Sequence, residues 1–248
     1  MTDWRIRSLI RGELRCDRSV VLPSRPGEDV WIPSTAYYLT DGERDVLVDT
    51  GFPDPELVRE RQPAFEPRAD RSFEALLREE AVPPTAVDTV VLTHLHWDHA
   101  GNTDVFPEDT EILVHREAVE YACAPLDIHT GAFLSPTAGY EPSWLGPSLS
   151  IRDGDHTVAP GLELLETPGH APGHWSVLAE HGGTTWGLAI DVFPLYANLE
   201  GGPDSRFAPP GTMDVQEWYA SAERLVAAAD EVVPSHDPEG PGTEWVTG

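Results

Sequence analysis

Lysine is absent from the 248-residue sequence, which carries 43 acidic residues against 16 arginines and a formal net charge of −27. Nucleic-acid phosphates and anionic lipid surfaces repel a protein of this charge. We therefore expect neither a nucleic-acid partner nor a membrane partner. A salt-rich cytosol favours such a composition, because salt screens the repulsion between acidic side chains. A GC-rich genome that codes arginine in place of lysine is the simpler explanation.

Cysteine is nearly absent as well. Cys16 and Cys123 are far apart in the sequence, and neither has a partner at a metal-ligand spacing. The chain therefore has no disulfide framework, and a reduced, cytoplasmic protein is expected. Residues 1–5 include charged side chains, and the long apolar segment of a secretory signal peptide does not follow them. No segment reaches the roughly 18 consecutive apolar residues that a transmembrane helix needs.

What the sequence does contain is a dense group of metal-capable side chains at residues 94–99, which read His-Leu-His-Trp-Asp-His. Histidine is the commonest metal ligand, and a carboxylate beside imidazoles suits zinc or a similar divalent ion. The segment before this group is apolar and β-branched, as in a buried strand. His94 and His96 therefore point to one side of a strand end, whereas Asp98 and His99 follow the turn. This spacing allows the group to serve two neighbouring metal ions rather than one.

Three later segments repeat this layout of an apolar strand followed by a potential ligand. The three ligands are His170, Asp191 and His236. Each segment is a weak signal alone. Their repetition predicts that these side chains meet the first group at one end of the sheets, because open sheets carry their sites at strand ends.

The order of these motifs resembles that of the metallo-β-lactamase superfamily. The matches span nearly the whole chain and consist of Leu-Val-Asp-Thr-Gly at residues 47–51, the His-x-His-x-Asp-His run, Thr-Pro-Gly-His at residues 167–170, Asp191, and Ser-His-Asp at residues 235–237. Within the superfamily the chain is most similar to the N-acyl-homoserine-lactone lactonases, through residues 98–102, 114–117, 154–161 and 168–174.

The resemblance implies a fold and a metal centre. The fold class is α/β (α+β), a four-layer αββα sandwich, with residues 1–248 as a single domain. The family carries two divalent ions, usually zinc. The implied ligands are His94, His96 and His170 for one ion, Asp98, His99 and His236 for the other, and Asp191 as a bridge. Asp49 is expected to orient one of the histidines by accepting its other N–H.

The resemblance also implies a reaction on a small-molecule substrate. A hydroxide that bridges the ions attacks the carbonyl of a lactone, such as an N-acyl homoserine lactone, and opens the ring. This is the quorum-quenching activity of the N-acyl-homoserine-lactone lactonases. Asp98 is the candidate proton shuttle to the leaving oxygen. Related lactonases place a substrate-contacting tyrosine where this chain has Pro194, so Tyr196 is the candidate catalytic residue that replaces it from a shifted position.

Other members of the superfamily share the metal core and differ in their pocket walls. A thioesterase of the glyoxalase II type, or another ester or amide metallohydrolase, therefore stays open as an alternative. Diiron relatives carry Glu where this chain has His96, and β-lactam hydrolases commonly carry Cys where it has Asp191, so both are disfavoured. A binding protein with an inactive hydrolase fold would lack some of the metal-ligating residues. This sequence has all of them.

Local patterns predict several elements. We expect an edge strand at residues 4–15, a hairpin at residues 35–48 that Asp41-Gly42 closes, and helices at residues 71–80 and 214–229. Asp214 is the predicted N-cap of the last helix. The buried face of that helix is predicted to contain Val215, Trp218, Tyr219, Ala222 and Leu225.

Two proline-rich segments with aromatic residues, 121–150 and 193–213, are candidates for a lid or a binding wall, and equally for peripheral packing or a homodimer contact. Trp97, Phe193 and Tyr196 neighbour the ligands, and some of them are expected to line the pocket. Four of the remaining histidines are predicted to be surface or structural residues, namely His115, His129, His156 and His181. His174 follows a Pro-Gly turn, and two interpretations are open for it: a turn residue, which is favoured, or a residue that supports a metal ligand.

Overall fold

A computed structural model of the protein describes residues 3–23, 26–200 and 208–240. Two β-sheets pack face to face, and helices cover their outer faces. This confirms the predicted four-layer sandwich. None of the helices within these residues is long and apolar enough to cross a membrane.

Seven strands form the first sheet: Arg5–Asp17 (β1), Asp29–Thr40 (β2), Asp45–Val48 (β3), Glu66–Arg68 (β4), Thr89–Leu92 (β5), Glu111–His115 (β6) and Leu149–Arg152 (β7). Their spatial order is β4-β1-β2-β3-β5-β6-β7. Five strands form the second sheet: His156–Ala159 (β8), Leu162–Glu166 (β9), Trp175–His181 (β10), Thr184–Ile190 (β11) and Glu231–Pro234 (β12). Their order is β12-β11-β10-β9-β8.

The six α-helices are Pro55–Arg61 (α1), Phe73–Glu79 (α2), Arg116–Cys123 (α3), Thr130–Phe133 (α4), Tyr196–Leu199 (α5) and Val215–Ala228 (α6) among the residues that the structure describes. The apolar core between the sheets joins side chains such as Leu39 and Val91 of the first sheet to Trp175 and Leu188 of the second. A second core lies between the first sheet and helices α2 and α3, and a third lies between the second sheet and α6.

Most of the elements predicted from local patterns are present. Strands β2 and β3 form the predicted antiparallel hairpin, and the Asp41 carboxylate accepts hydrogen bonds from two backbone N–H groups in the turn. The predicted edge strand is present as β1, but it is not an edge strand, because β4 pairs with it at residues 13–15. The edge prediction was therefore wrong, since a three-residue strand leaves no periodic signal.

Helix α6 begins as predicted, because the Asp214 carboxylate accepts hydrogen bonds from the backbone N–H groups of Gln216 and Glu217. Its buried face is narrower than predicted. Val215 and Tyr219 are 59% and 44% exposed. Tyr219 lies about 100° around the helix from the buried Trp218, and Val215 lies in the first turn, before the buried stripe begins.

The parallel strands of the two sheets determine where the candidate site residues lie. Strands β3, β5 and β6 are parallel neighbours, and so are β11 and β12. The carboxyl ends of parallel strands meet at one edge. Asp49 follows β3, Thr93 follows β5, Asp191 follows β11, and His236 comes two residues after β12. Residues from distant parts of the chain therefore converge at this edge.

Candidate metal centre

Three imidazole nitrogens converge in the first of two clusters at this edge. Nε2 of His94 lies 3.1 Å from Nδ1 of His96, and Nε2 of His170 lies 3.0 Å from the same nitrogen. All three side chains are buried. The ligand atoms of this cluster and of Asp191 lie within 4.8 Å of one another, which is close enough for one shared ion.

The second cluster contains Asp98, His99 and His236. The Nε2 atoms of the two histidines are 3.2 Å apart, and Oδ2 of Asp98 lies 4.0 Å from each of them. Nδ1 of His236 donates a hydrogen bond to the Pro33 carbonyl at 2.8 Å. This bond fixes the imidazole so that Nε2 faces the cluster.

The Asp191 carboxylate lies between the two clusters. Its Oδ2 is 3.2 Å from Nε2 of His170. Its Oδ1 is 3.3 Å from Nε2 of His99 and 3.1 Å from Nε2 of His236. The Ser235 hydroxyl donates a hydrogen bond to Oδ1 at 3.2 Å and thereby holds the carboxylate in place. One side chain thus faces both clusters, as a bridging ligand must.

Asp49 supports one histidine of each cluster through hydrogen bonds on the side of the ring away from the cluster. Its Oδ2 accepts a 2.8 Å hydrogen bond from Nδ1 of His99. The Thr93 hydroxyl donates to the same carboxylate, and its oxygen lies 3.2 Å from Nδ1 of His94. Since that hydroxyl hydrogen is used by Asp49, the His94 N–H donates to the threonine oxygen. The structure therefore places Asp49 in the orienting role predicted for it.

These hydrogen bonds also show that the second cluster requires positive charge. A carbonyl or a carboxylate oxygen can only accept, so His236 and His99 each use Nδ1–H as the donor. In the neutral imidazoles both Nε2 atoms carry lone pairs, and these face each other and Oδ1 of Asp191. Positive charge, from a metal ion or from protonation of the rings, makes that arrangement favourable. Nitrogen and carboxylate donors in this number fit a divalent ion such as zinc.

The electrostatics of the two clusters differ. Burial lowers the pKa of His94, His96 and His170, so these imidazoles are neutral and can offer a lone pair at neutral pH. Burial also lowers the pKa of His99, but the surrounding carboxylates outweigh it, and the pKa of His99 lies well above its usual value. The imidazoles around Asp191 outweigh the effect of its burial and hold the pKa of its carboxyl well below the usual value.

Two strand ends adopt strained backbone conformations that direct these side chains. Asp49 has φ 62° and Ile190, directly before Asp191, has φ 51°. The left-handed region is uncommon for any residue with a side chain and rarer for a β-branched one. Such strain persists only where the surrounding structure enforces it, and it is typical of functional sites.

Gly169 brings His170 to the first cluster. It has φ +117°, and a Cβ atom at this position would lie 2.1 Å from the backbone nitrogen of Trp218. Its carbonyl accepts hydrogen bonds from the backbone N–H groups of Met213 and Asp214, so the start of α6 packs directly on this turn. A glycine is therefore required for both its conformation and its close contact.

Replacing Gly169 with alanine is expected to lower the free energy of unfolding by about 2–4 kcal/mol, because it adds strain and forces α6 away from the turn. Urea denaturation measures this loss. Gly139→Ala is the matched control, because Gly139 has φ +81° with no atom within 4 Å of the added Cβ. Equal losses in the two variants would show that contact with α6 contributes nothing.

A cavity of about 260 Å³ opens onto both clusters. Five candidate ligands line it, namely His96, Asp98, His170, Asp191 and His236. Most of its other walls are apolar and comprise Val20, Val21, Ile32, Phe65, Trp97, Ala132, Pro194, Pro209, Pro210, Gly211 and Met213. A largely apolar cavity with polar groups at one place is typical of a small-molecule site.

The three aromatic residues that neighbour the ligands in the sequence lie in different environments. Trp97 lines the cavity, as expected for at least one of them, whereas Phe193 is buried against α6. Tyr196 lies outside the lining, the residue is 36% exposed, and its backbone N–H donates to the Asp237 carboxylate at 2.7 Å. A substrate contact by the Tyr196 hydroxyl stays a prediction, and this position does not favour it.

Both proline-rich segments contribute to the cavity wall. Residues 121–150 supply His129 and Ala132, and the described part of residues 193–213 supplies Pro194 and the wall residues from Pro209 to Met213. The remainder, residues 201–207, lies outside the described part of the chain. Their roles as a lid or in a dimer contact stay predictions.

Two histidines outside the candidate ligand set contact this site. His129 lines the cavity. His174 is buried, and its Nε2 accepts a 3.4 Å hydrogen bond from the backbone N–H of Asp191. Burial lowers the pKa of His174 to about 3, so the ring is neutral and can accept this bond. This contact favours the supporting role for His174, and the local Pro-Gly turn had favoured the other interpretation because the contact joins two segments seventeen positions apart.

A four-layer sandwich with paired His and Asp clusters at one edge defines a class of metal-dependent hydrolases. A sequence model of the metallo-β-lactamase superfamily matches residues 29–236, and the chain belongs to this superfamily.

Several similar proteins within the superfamily are N-acyl homoserine lactonases. An N-acyl homoserine lactonase of Bacillus cereus is 30% identical over 193 residues, which cover 73% of this chain and 72% of that protein. The lactonase AttM of Azorhizobium caulinodans is 28% identical and covers 96% of this chain and 95% of its own length. A solved N-acyl homoserine lactone hydrolase with N-hexanoyl-L-homoserine at its catalytic metal centre superimposes with a TM-score of 0.79, 27% identity and coverage of 96% and 95%.

Proposed function

We propose that the protein is a dinuclear metal-dependent hydrolase that opens the ring of N-acyl homoserine lactones. The observation that carries this proposal is the Asp191 carboxylate, whose two oxygens face separate histidine clusters. A site for a single ion does not need such a bridge. Its position at the end of a small, largely apolar cavity suits the hydrolysis of a small acylated substrate.

The proposed ligands divide by cluster. His94, His96 and His170 hold one ion, Asp98, His99 and His236 hold the other, and Asp191 bridges them. Zinc is the proposed metal, because five imidazoles and two carboxylates match its preference for nitrogen and oxygen donors. When bound, the two ions supply an activated water and polarise the carbonyl that it attacks.

The side chains of the protein have three tasks in this reaction. Asp49 and the Pro33 carbonyl keep the imidazoles of the second cluster oriented. Asp98 borders both the second cluster and the cavity, so its carboxylate can take the proton of the attacking water and pass it to the leaving alkoxide. The apolar walls exclude bulk water and accommodate the acyl chain.

Three further parts of the proposal concern the whole chain. We propose a single domain for residues 1–248, because both described sheets share one core. The free thiols Cys16 and Cys123 support a cytoplasmic location. A homodimer stays a prediction.

A substrate panel tests the proposed function. We expect the zinc-loaded protein in high KCl to release protons rapidly from N-acyl homoserine lactones and much more slowly from thioesters, simple esters and β-lactams. The metal-free protein, prepared with a chelator, is the control. A preference for thioesters, with lactones inert, would contradict the lactonase proposal and favour an enzyme of the glyoxalase II type.

A further inference from the structure

His129 has an unusual position in the cavity wall. Apart from the candidate metal ligands and the Trp97 indole, it is the one polar side chain among the described residues that line the cavity. It closes the 3-10 turn Asp127–His129 and is half-buried. A polar group in an otherwise apolar wall is the type of group that orients a ligand.

Neighbouring residues hold His129 firmly. The Tyr121 hydroxyl lies 2.6 Å from Nδ1 of His129. The Tyr121 ring also packs edge-on against Phe133, which in turn packs against His96 of the first cluster. The backbone N–H of Trp97 donates to the Ala132 carbonyl at 2.9 Å. The segment that carries His129 is therefore attached to the metal-binding motif by backbone and side-chain contacts.

The hydrogen bond to Tyr121 determines what His129 offers to the cavity. A phenol O–H is a good donor, and a neutral imidazole nitrogen is a better acceptor than a phenol oxygen. The Tyr121 hydroxyl therefore donates to Nδ1, which leaves the proton of the neutral ring on Nε2. His129 thus carries an N–H donor on Nε2 in a wall whose other side chains, apart from the candidate metal ligands and Trp97, are apolar.

We propose that Nε2–H of His129 donates a hydrogen bond to the acyl-amide carbonyl of the substrate, and that Tyr121 is the residue that positions His129. This inference rests on the proposed lactonase function. His129 packs against Tyr121, whereas the imidazoles of the metal clusters pack against one another. His129 also belongs to neither metal cluster, so a substrate group bound to it would be contacted outside the centre where the ester reacts. An amide oxygen buried without a partner is costly, so this bond favours amide-bearing lactones.

The test compares two lactones in the variant His129→Ala. One is N-hexanoyl-homoserine lactone, and the other is an alkyl γ-lactone of similar length without the amide. We expect kcat/KM for the amide-bearing lactone to fall about 10-fold to 100-fold, mainly through KM, and at least five-fold more than kcat/KM for the alkyl lactone. Calorimetry provides a readout without turnover, because the dissociation constant of ring-opened N-hexanoyl-homoserine should rise about 10-fold.

Tyr121→Phe separates positioning from contact. It should reduce the preference for the amide-bearing lactone about three-fold to five-fold, since His129 remains but loses its fixed orientation. Nitrogen-15 NMR of labelled histidine should show the Nε2–H tautomer of His129 in the wild type and a mixture of tautomers in Tyr121→Phe. His156→Ala is the matched control, because His156 is a half-buried histidine outside the cavity lining.

The outcomes distinguish this inference from the proposed function. Equal losses for the two lactones in His129→Ala, or no loss for either, would overturn the role of His129 and leave the hydrolase proposal intact. Metal content, measured in each variant, should match the wild type, and a loss of metal in His129→Ala would also overturn the proposed contact. If the wild type opens neither lactone, the proposed function itself is contradicted.

Discussion

Replacing Asp191 with alanine is expected to release both metal ions and to lower kcat/KM by about 10³-fold or more. The two carboxylate oxygens lie 3.1–3.3 Å from imidazole nitrogens of separate clusters, so the substitution removes one ligand from each proposed site. It also leaves His99 without one of the carboxylates that stabilise positive charge around it. Elemental analysis of the purified variant and a lactone hydrolysis assay measure the two effects.

Asp153→Ala is the control for the loss of an acidic side chain. Asp153 is exposed, forms an ion pair with Arg116 and lies outside both clusters. This variant should retain its metals and its activity. Two metals and full activity in Asp191→Ala would refute the bridging assignment.

Replacing Asp98 with asparagine is expected to lower kcat by about 10²-fold to 10³-fold with a much smaller change in KM. Asparagine preserves the shape of the side chain but cannot carry a proton between the attacking water and the leaving alkoxide. Oδ2 of Asp98 lies 4.0 Å from each histidine of the second cluster, farther than the Asp191 oxygens, so most of the metal affinity should remain.

Rates for Asp98→Asn should be measured in excess zinc, so that any change in metal affinity is separated from turnover. A solvent isotope effect on kcat is expected to differ between the wild type and the variant, because proton transfer becomes limiting. An unchanged kcat would exclude Asp98 from proton transfer.

Much of the fold could be predicted because its signals are local. Asp41-Gly42 specifies the hairpin turn, and the Asp214 carboxylate caps α6 through the two nearest free N–H groups. The positions of the candidate ligands at strand ends were predictable for a different reason. Parallel strands bring their carboxyl ends to one edge whatever the length of chain between them.

The parts that sequence analysis missed depend on contacts between distant segments. His129 has no local pattern that distinguishes it from a surface histidine, and it reaches the cavity because Ala132 binds the backbone of Trp97. The aromatic residues of segment 121–150 were the only available signal. The exposure of Tyr219 likewise follows from how α6 lies on the second sheet, which helical periodicity alone does not determine.

Asp49 accepts a hydrogen bond from His99 and, through Thr93, supports His94, so a single buried carboxylate serves both halves of the centre. An ion at either cluster would fix the imidazole that holds it and, through the hydrogen bonds of that imidazole, the shared carboxylate, so the other imidazole would be held more firmly for the second ion. Thermodynamic linkage makes the benefit reciprocal. Metal uptake should therefore be cooperative, with the singly loaded protein scarce at every zinc concentration.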